Sequence, residues 1–267
     1  MRRLSLWIPL ILVGTWAVAA LIGPWLPLDP TGIDLEHILE GPSAASPLGR
    51  DDLGRAVLDR LILGARTSLL VACSVVALSA VVGTLIGCIA AYLGGLVDRL
   101  VVRLIDVFLA FPGILLAIAL AGILGPGLDN LVMALVAVGW VGYARLARAQ
   151  VLSLKHRDHV LASLALGSGS LRVIALHLLP LISAPLIVEA TFSLAGTLVA
   201  EAGLSFLGLG VQPPTPSWGS LIREGARYML VAPHLVLAPG LAISLAVLAV
   251  NLLGDRLRDR MDVREIC

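Results

Sequence analysis

The side chains able to do chemistry are few and scattered. Glu189 is the single ionisable residue within an apolar run spanning residues 178–200. A carboxyl at such a depth is a functional candidate by default, because burying charge in hydrocarbon is costly. Two readings stay open. Glu189 either lines a polar path and meets a cationic group or metal, or is a hydrogen-bonded structural carboxyl between helices. Glu201 lies near the end of the same run, where a structural or gating role suits it. The five histidines do not cluster as zinc ligands do. Cys73 and Cys88 lie in one apolar run, about 22 Å apart on a helix, too far for a disulfide; Cys267 is terminal. The sequence contains no GxxxxGK[ST] phosphate loop, no HExxH and no GxSxG. Hydrolytic and nucleotide chemistry therefore has no recognisable home in this chain.

The segment from residue 150 to 176 carries more information. It is too polar to cross a bilayer, holding Lys155, His156, Arg157, Asp158, His159 and Arg172. Within it Val160 to Leu166 is an apolar stretch stopped by Gly167-Ser168-Gly169, and a further stretch leads through His177 to Pro180. A glycine after a short helical run is a common stop. The expectation is a short helix, a sharp turn and a second helix entering the membrane. Such a helix either docks in a groove of another protein or serves as an interfacial connector.

These residues must be positioned by membrane-spanning elements. Of 267 residues, 58% are hydrophobic and 14% charged, with a mean hydropathy of +0.98. A soluble domain is about 25% charged, so a water-soluble globule is excluded, and disorder with it. The formal net charge of +1 gives no sign of a nucleic-acid partner. A helix crosses the hydrocarbon core with about 20 apolar residues. Uncharged or nearly uncharged runs at 4–28, 68–92, 107–128, 130–144, 178–200 and 235–254 predict six spans. The first follows Arg2 and Arg3, and Ala17-Val18-Ala19 resembles a signal-peptidase site, but the run continues through Leu21, Ile22, Trp25 and Leu26, as an uncleaved anchor would.

The basic residues fix an orientation. With six spans and an internal N-terminus, 13 of the 19 fall inside, from Arg2 and Arg3 to Arg264. The six outside, Arg50, Arg55, Arg60, Arg66, Arg223 and Arg227, sit among acidic residues. Both termini are thus expected in the cytoplasm. Residues 48–66 are expected to include a short interfacial helix. Residues 94–106 carry an apolar stripe opposite Asp98, Arg99 and Arg103, as an amphipathic surface helix does; Arg103 and Asp106 are spaced to pair. The second external loop, with Pro213, Pro214, Pro216 and Trp218, would fold over the outer mouth as a lid or cap.

The segment from Val160 to Pro180 resembles the EAA motif of bacterial ABC-importer permeases, in which EAA is followed by a glycine and, further on, by LP. Ala162 matches the first alanine, Gly167 the glycine, and Leu179-Pro180 the closing pair. Leu161 and Ser163 replace the glutamate and the second alanine, and His177 stands at the isoleucine position, as in the branch that reads HxLP. That branch is the dipeptide/oligopeptide/nickel permease family. Gly49 to Arg55 resembles its GTDxxGRD, Gly64 to Leu69 its GaRxSL, and Arg103 to Asp106 with Phe111-Pro112 its approach to the third span. The block from Glu201 to Gly219 is similar nearly residue for residue. The chain is similar to the C-type member of a permease pair from about residue 29 to 264.

The resemblance implies an all-α membrane protein with six transmembrane helices, a type I ABC importer permease fold and both termini cytoplasmic, multi-pass in a bacterial inner membrane. It implies residues 1–66 as an N-terminal helix and extracytoplasmic loop, 67–256 as the transport domain with a coupling loop near 150–180, and 257–267 as a cytoplasmic tail. It implies a second homologous permease, two ATPase subunits, an extracytoplasmic solute-binding protein and the surrounding membrane lipid as partners. ATP and Mg would be bound by the ATPases, with no cofactor or catalysis in this chain. Ala162, Ser163, Gly167, His177, Leu179 and Pro180 would form the ATPase-coupling loop, with Glu189 and Glu201 as pathway or gating candidates. The solute would be a peptide or a nickel or other metal chelate. The competing classes are a self-sufficient secondary transporter, which would show inverted repeats and ion-coupling groups, and an intramembrane enzyme, which would need a nucleophile or metal dyad.

Overall fold

The computed structural model describes residues 4–262; Arg2, Arg3, Arg264 and Cys267 lie outside the described residues. The described chain is helical, and its extended pairing is limited to one isolated bridge between Arg50 and Ala56. Helix α1 (Leu4–Ile22) ends at a 3-10 turn, Gly23–Trp25, where Pro24 interrupts it. Helix α2 (Val57–Leu93) is 37 residues long, about 55 Å, and so extends well beyond a hydrocarbon core of about 30 Å. Then follow α3 (Gly95–Leu109), α4 (Gly113–Leu124), α5 (Leu128–Leu154), α6 (Asp158–Ala165), α7 (Ser170–Val173), α8 (Leu179–Phe206), α9 (Trp218–Ala226) and α10 (His234–Asp262).

Four helices are each long and apolar enough to cross a membrane: α2, α5, the continuous α7–α8 stretch Ser170–Phe206, and α10. The bent pair α3 and α4 makes a fifth if taken as one span. The expected third span, 107–128, is not a single straight helix. The chain breaks at Pro112, and α3 and α4 meet at 89°. Proline supplies no N–H to the preceding turn and disfavours helix in the residue before it. Helix α4 alone is 12 residues, about 18 Å. The expected amphipathic surface helix is α3, with Leu96, Val97, Leu100 and Leu104 exposed along its apolar stripe.

Two local expectations are corrected. Residues 48–56 form no separate interfacial helix; they turn through the Arg50–Ala56 bridge, and the helix that starts at Val57 continues directly into the long α2. Arg103 and Asp106 form no ion pair among the described residues. Asp98 instead receives Nε and Nη2 of Arg148 at 2.6 and 2.7 Å, because a neighbouring helix offers a guanidinium in bidentate geometry. The fourth expected span, 130–144, is borne out as the first part of a longer apolar helix that continues past Arg145 and Arg148 to Leu154.

The frame is the α2–α5 pair. A Cβ placed on Gly83 would overlap the Trp140 carbonyl, and one on Gly87 the Ala144 carbonyl. Glycine at these positions lets the two backbones touch, the small-residue packing that holds helices together in lipid. At one end of the molecule, Cys88, Ala91, Ala147, Val151 and Leu154 form a core with Val160, Val173, Ile174 and Leu178. Lys155 Nζ donates to the Ala91 carbonyl at 3.0 Å, satisfying an orphan acceptor near the end of α2. At the other end, the 29–56 loop and α9 close over α2, α8 and α10.

Candidate functional site

Helix α6 and the turn after it are held in a defined shape. Ser168 N–H donates to the Ser163 carbonyl at 3.1 Å and Gly167 N–H to the Leu164 carbonyl at 2.9 Å. With Gly167 at φ +85°, this is the Schellman arrangement, which satisfies carbonyls left open at the helix end. Gly167 is exposed, and a Cβ there would meet nothing within 4 Å. Only its backbone angle demands glycine.

After the turn, Ile174–Leu178 form a π-helical segment that leads into α8. Pro180, at the start of α8, lacks an N–H, and its ring crowds the carbonyl four residues back. The wider π turn removes both conflicts. The segment carries His177, whose Nε2 shares a 3.0 Å hydrogen bond with Ser163 Oγ, its direction set by the imidazole tautomer. Ser163 and His177, which replace alanine and isoleucine of the motif, thus tie α6 to the base of α8. Leu179 is half-buried beside them and Pro180 is exposed.

Val160 anchors α6 in the core with no exposed surface. The remainder of the helix points outward: Leu161, Ala162, Leu164 and Ala165 are exposed, and Leu166 is 88% exposed. Leu171, just past the turn, is exposed as well. Helix α6 thus presents an apolar face on a short helix that is itself too short to cross a membrane.

Glu189 is half-buried on α8. Its Oε1 lies 3.3 Å from where a Cβ on Gly142 would stand, and it borders a cleft of about 620 Å³ that also touches Gln150, Ser153, Arg157 and Arg258. A second cleft, of about 540 Å³, opens between α2, α4, α5 and α8. It is mostly apolar, with Ser79, Tyr143, Ser193 and Thr197 in its wall.

Glu201 is 1% exposed and does not reach that cleft. Its two oxygens accept from Ser68 Oγ at 3.0 Å and Ser205 Oγ at 2.8 Å. Trp218 N–H lies 3.4 Å from the same Ser68 hydroxyl. Trp218 Nε1 donates to the Leu61 carbonyl at 3.0 Å, and its ring stacks obliquely on Trp16 at 5.6 Å. The proline-rich loop that leads into α9 is therefore stitched to α1, α2 and α8 through Glu201 and Trp218.

Sequence reasoning missed an ionic network at this end. Asp51 Oδ2 accepts from Arg55 Nε at 2.8 Å and Arg60 Nη1 at 2.6 Å, while its Oδ1 accepts from the backbone of Leu53 and Arg55. Arg60 also donates to Glu224 of α9 at 2.7 Å and Arg55 to the same carboxylate at 3.2 Å. Asp51, Asp52 and Glu224 converge closely enough to suggest a cation site, but two guanidinium groups already occupy the Asp51 and Glu224 oxygens. The network pins the 29–56 loop to α9. Its one sequence signal was the concentration of arginines among acids outside the spans.

The architecture is that of a polytopic helical membrane protein with a rigid surface helix at one end. Residues 83–265 match the family of binding-protein-dependent transport system inner membrane components, and the chain belongs to that family. The chain is 46% identical over 250 residues to the di/tripeptide transport system permease protein DppC of Pseudomonas aeruginosa, covering 91% of this chain and 82% of the relative. It is 40% identical over 263 residues to the nickel transport system permease protein NikC of Escherichia coli, covering 97% and 94%. It is 41% identical over 229 residues to the glutathione transport system permease protein GsiD of Pectobacterium atrosepticum, covering 86% and 76%. Its fold is similar to that of a chain of the inward-facing MetNI methionine ABC transporter, with a TM-score of 0.61 at 18% identity over 76% of this chain and 96% of that one. The type I importer permease fold expected from the resemblance is thus the fold observed.

Proposed function

We propose that the chain is one of two paired permeases in an ATP-driven importer of a bacterial inner membrane. The importer takes up peptides or metal chelates, nickel among them, handed over by an extracytoplasmic binding protein. Two ATPase subunits dock on the α6 end, bind ATP and Mg, and supply the free energy; this chain is a non-catalytic subunit. The observation that carries the reading is the outward apolar face of α6, from Leu161 to Leu166, on a helix locked to the core through Val160. Named relatives that serve di/tripeptide, nickel and glutathione transport support the solute range.

Six crossings account for the arrangement: α1, α2, the stretch 107–128 around α4 with the rest of α3 lying along the inner surface, α5, α8 and α10, both termini inside. Contacts between the two loops assigned to the outside, Arg55 and Arg60 with Glu224, favour it. So do contacts between segments assigned to the inside, Asp98 with Arg148 and Lys155 with Ala91. Residues 1–66 then supply the anchor and outer loop, 67–256 the transport domain, and 257–267 a short tail.

The mechanism follows from rigidity. When the ATPases close, they push α6; the Schellman turn and the Ser163–His177 bond pass the displacement to the base of α8 rather than absorbing it. Ala162 and Gly167 allow close approach, and Leu179-Pro180 begin the helix that moves. Glu189 lies along α8, where such motion alters its surroundings, while Glu201 holds the outer cap to α8. Transport needs the two states to differ in free energy by what ATP binding supplies.

The test is to tag the chain, extract it from native membranes in mild detergent and identify what co-purifies. Recovery of a second permease and an ATPase is expected. Recovery of the chain alone, moving solute in ATP-free vesicles, would overturn the reading in favour of a secondary transporter.

A further inference from the structure

The buried residues of the stretch Gly64 to Leu69 serve the cap. Gly64 leaves room for Trp218, the Ala65 carbonyl accepts from Trp16 Nε1 at 3.3 Å, and Ser68 donates to Glu201. Arg66 faces elsewhere. It is exposed, and its guanidinium has no hydrogen bond or ion pair with another of the described residues. Arg50, Arg55 and Arg60 before it are all paired with carboxylates.

Arg66 borders a cleft of about 560 Å³ between the end of α1 and the side of α2. Leu21, Pro24 and Trp25 form one wall, Leu69 and Leu70 the other. Gly23 permits the approach, since a Cβ there would come within 3.0 Å of Ile62 Cγ2. The guanidinium is the one charge in the wall, with no carboxylate beside it. Asp59, seven residues earlier on the same face of α2, is about 10 Å away along the axis. Its carboxylate accepts from the Asp29 N–H at 3.1 Å instead.

The cleft stands at the edge of the apolar zone. After Arg66 the chain carries no charged residue until Asp98. Trp25 is 87% exposed, and tryptophan at a membrane boundary sits at headgroup level. Leu21 and Leu70 are exposed as well and line an apolar trough beside it. An arginine at this depth lays its stem on apolar surface and keeps its head among the headgroups. Its planar fork matches a phosphate through two parallel N–H bonds. A cation, an interfacial ring and an apolar trough together suit an amphipathic anion. A free soluble anion would leave the apolar walls uncovered.

We propose that this cleft is a phospholipid site. Arg66 donates to the phosphodiester, Trp25 lies at the glycerol level, and an acyl chain runs along the trough between Leu21 and Leu70. The lipid ties the end of α1 to α2. Placing it in the outer leaflet rests on the importer reading; the site itself does not.

The experiment uses the whole assembly, with second permease, ATPases and binding protein, in proteoliposomes. The probe is phosphatidylglycerol with a diazirine on its acyl chain near the glycerol, supplied to one leaflet at a time. The readout is label per chain on peptides containing Trp25 or Leu70, by mass spectrometry. The wild type is expected to be labelled from the leaflet at the cap end. Arg66→Ala removes a side chain without a partner and should assemble normally, with label reduced about fivefold to tenfold. Arg66→Lys should keep most of the label, because an ammonium still donates to phosphate. Arg227→Ala, at an exposed arginine outside the cleft, should keep all of it. Equal labelling of wild type and Arg66→Ala would overturn the site. Failure of Arg66→Ala to assemble would also overturn it, assigning the guanidinium to a subunit contact. So would an unlabelled wild-type cleft from which a photo-crosslinker at Leu70 captures the second permease or the binding protein. Loss of wild-type label in excess inorganic phosphate would replace the lipid by a free anion. Label arriving only from the leaflet on the ATPase side supports the site and contradicts the orientation in the importer reading.

Discussion

Gly167 and Arg60 are the two positions where one side chain decides most. At φ +85°, a branched or long residue at 167 pays about 1–2 kcal/mol for the left-handed region, whereas asparagine adopts it readily. Gly167→Asn is therefore expected to keep ATPase co-purification near wild type, and Gly167→Leu to reduce it several-fold while the protein still inserts. Equal co-purification by the two variants would remove the turn from the coupling path. Arg60 is buried between Asp51 and Glu224. Removing one partner of a buried pair strands the other charges, at a cost of about 3–5 kcal/mol. Arg60→Ala should lower the detergent melting temperature markedly, and more than Arg50→Ala, whose partners Asp34 and Glu40 are more exposed. Glycine 167 could be read in the sequence as a stop after an apolar run. The Arg60–Glu224 bond could not, since 164 residues separate its ends and only the packing of α9 over the start of α2 brings them together.

Among the elements, the long helices were legible because a bilayer imposes a length and a composition that any reader can count. Helix α3 was legible from its apolar stripe. The break at Pro112 was less so: residues 107–128 are uniformly apolar, and hydropathy averages over a kink that backbone geometry imposes. What fixes α3 is the Asp98–Arg148 pair. Hydrogen bonding to Arg148, opposed by partial burial and helped by the charges of Arg148 and Lys155, holds the Asp98 carboxyl below its ordinary 3.8. A carboxylate depressed on folding contributes stability that is complete above its unfolded pKa and is lost as pH falls through its folded one. Wild type and Asp98→Asn should thus differ in thermal stability, by about 1 kcal/mol, at pH 6 to 8, and the difference should vanish as pH drops below the depressed value. A gap that persists in acid would assign Asp98 a role other than this pair. The α2–α5 contact is stricter. Gly87→Leu drives a side chain into the Ala144 backbone and should abolish folded protein in a size-exclusion assay, whereas Gly94→Ala, half-buried but with nothing within 4 Å of the added Cβ, should fold despite its positive φ.

At the scale of the whole molecule, one body joins a cap, made by the 29–56 loop and α9, to a surface helix some distance away through α2 and α8. The cap is knitted by Glu201, Trp218 and the Asp51–Arg60–Glu224 network. The surface helix is knitted by Val160, Lys155 and the Ser163–His177 bond. The proposed coupling to an ATPase requires such a rigid body with an apolar face at one end. The motif spacing made the location of that face readable in the sequence. Its exposure was not, because whether Leu161, Leu164 and Leu166 face core or solvent depends on how Val160 and the π segment set the roll of α6. The most direct measurement places a photo-crosslinking amino acid at Ala162 in the assembled transporter, with a control at Leu230, fully exposed at the opposite end. Capture of the ATPase from Ala162 and not from Leu230 is the predicted result. An ATPase captured from neither site, in cells where ATP-driven uptake proceeds, would contradict the account.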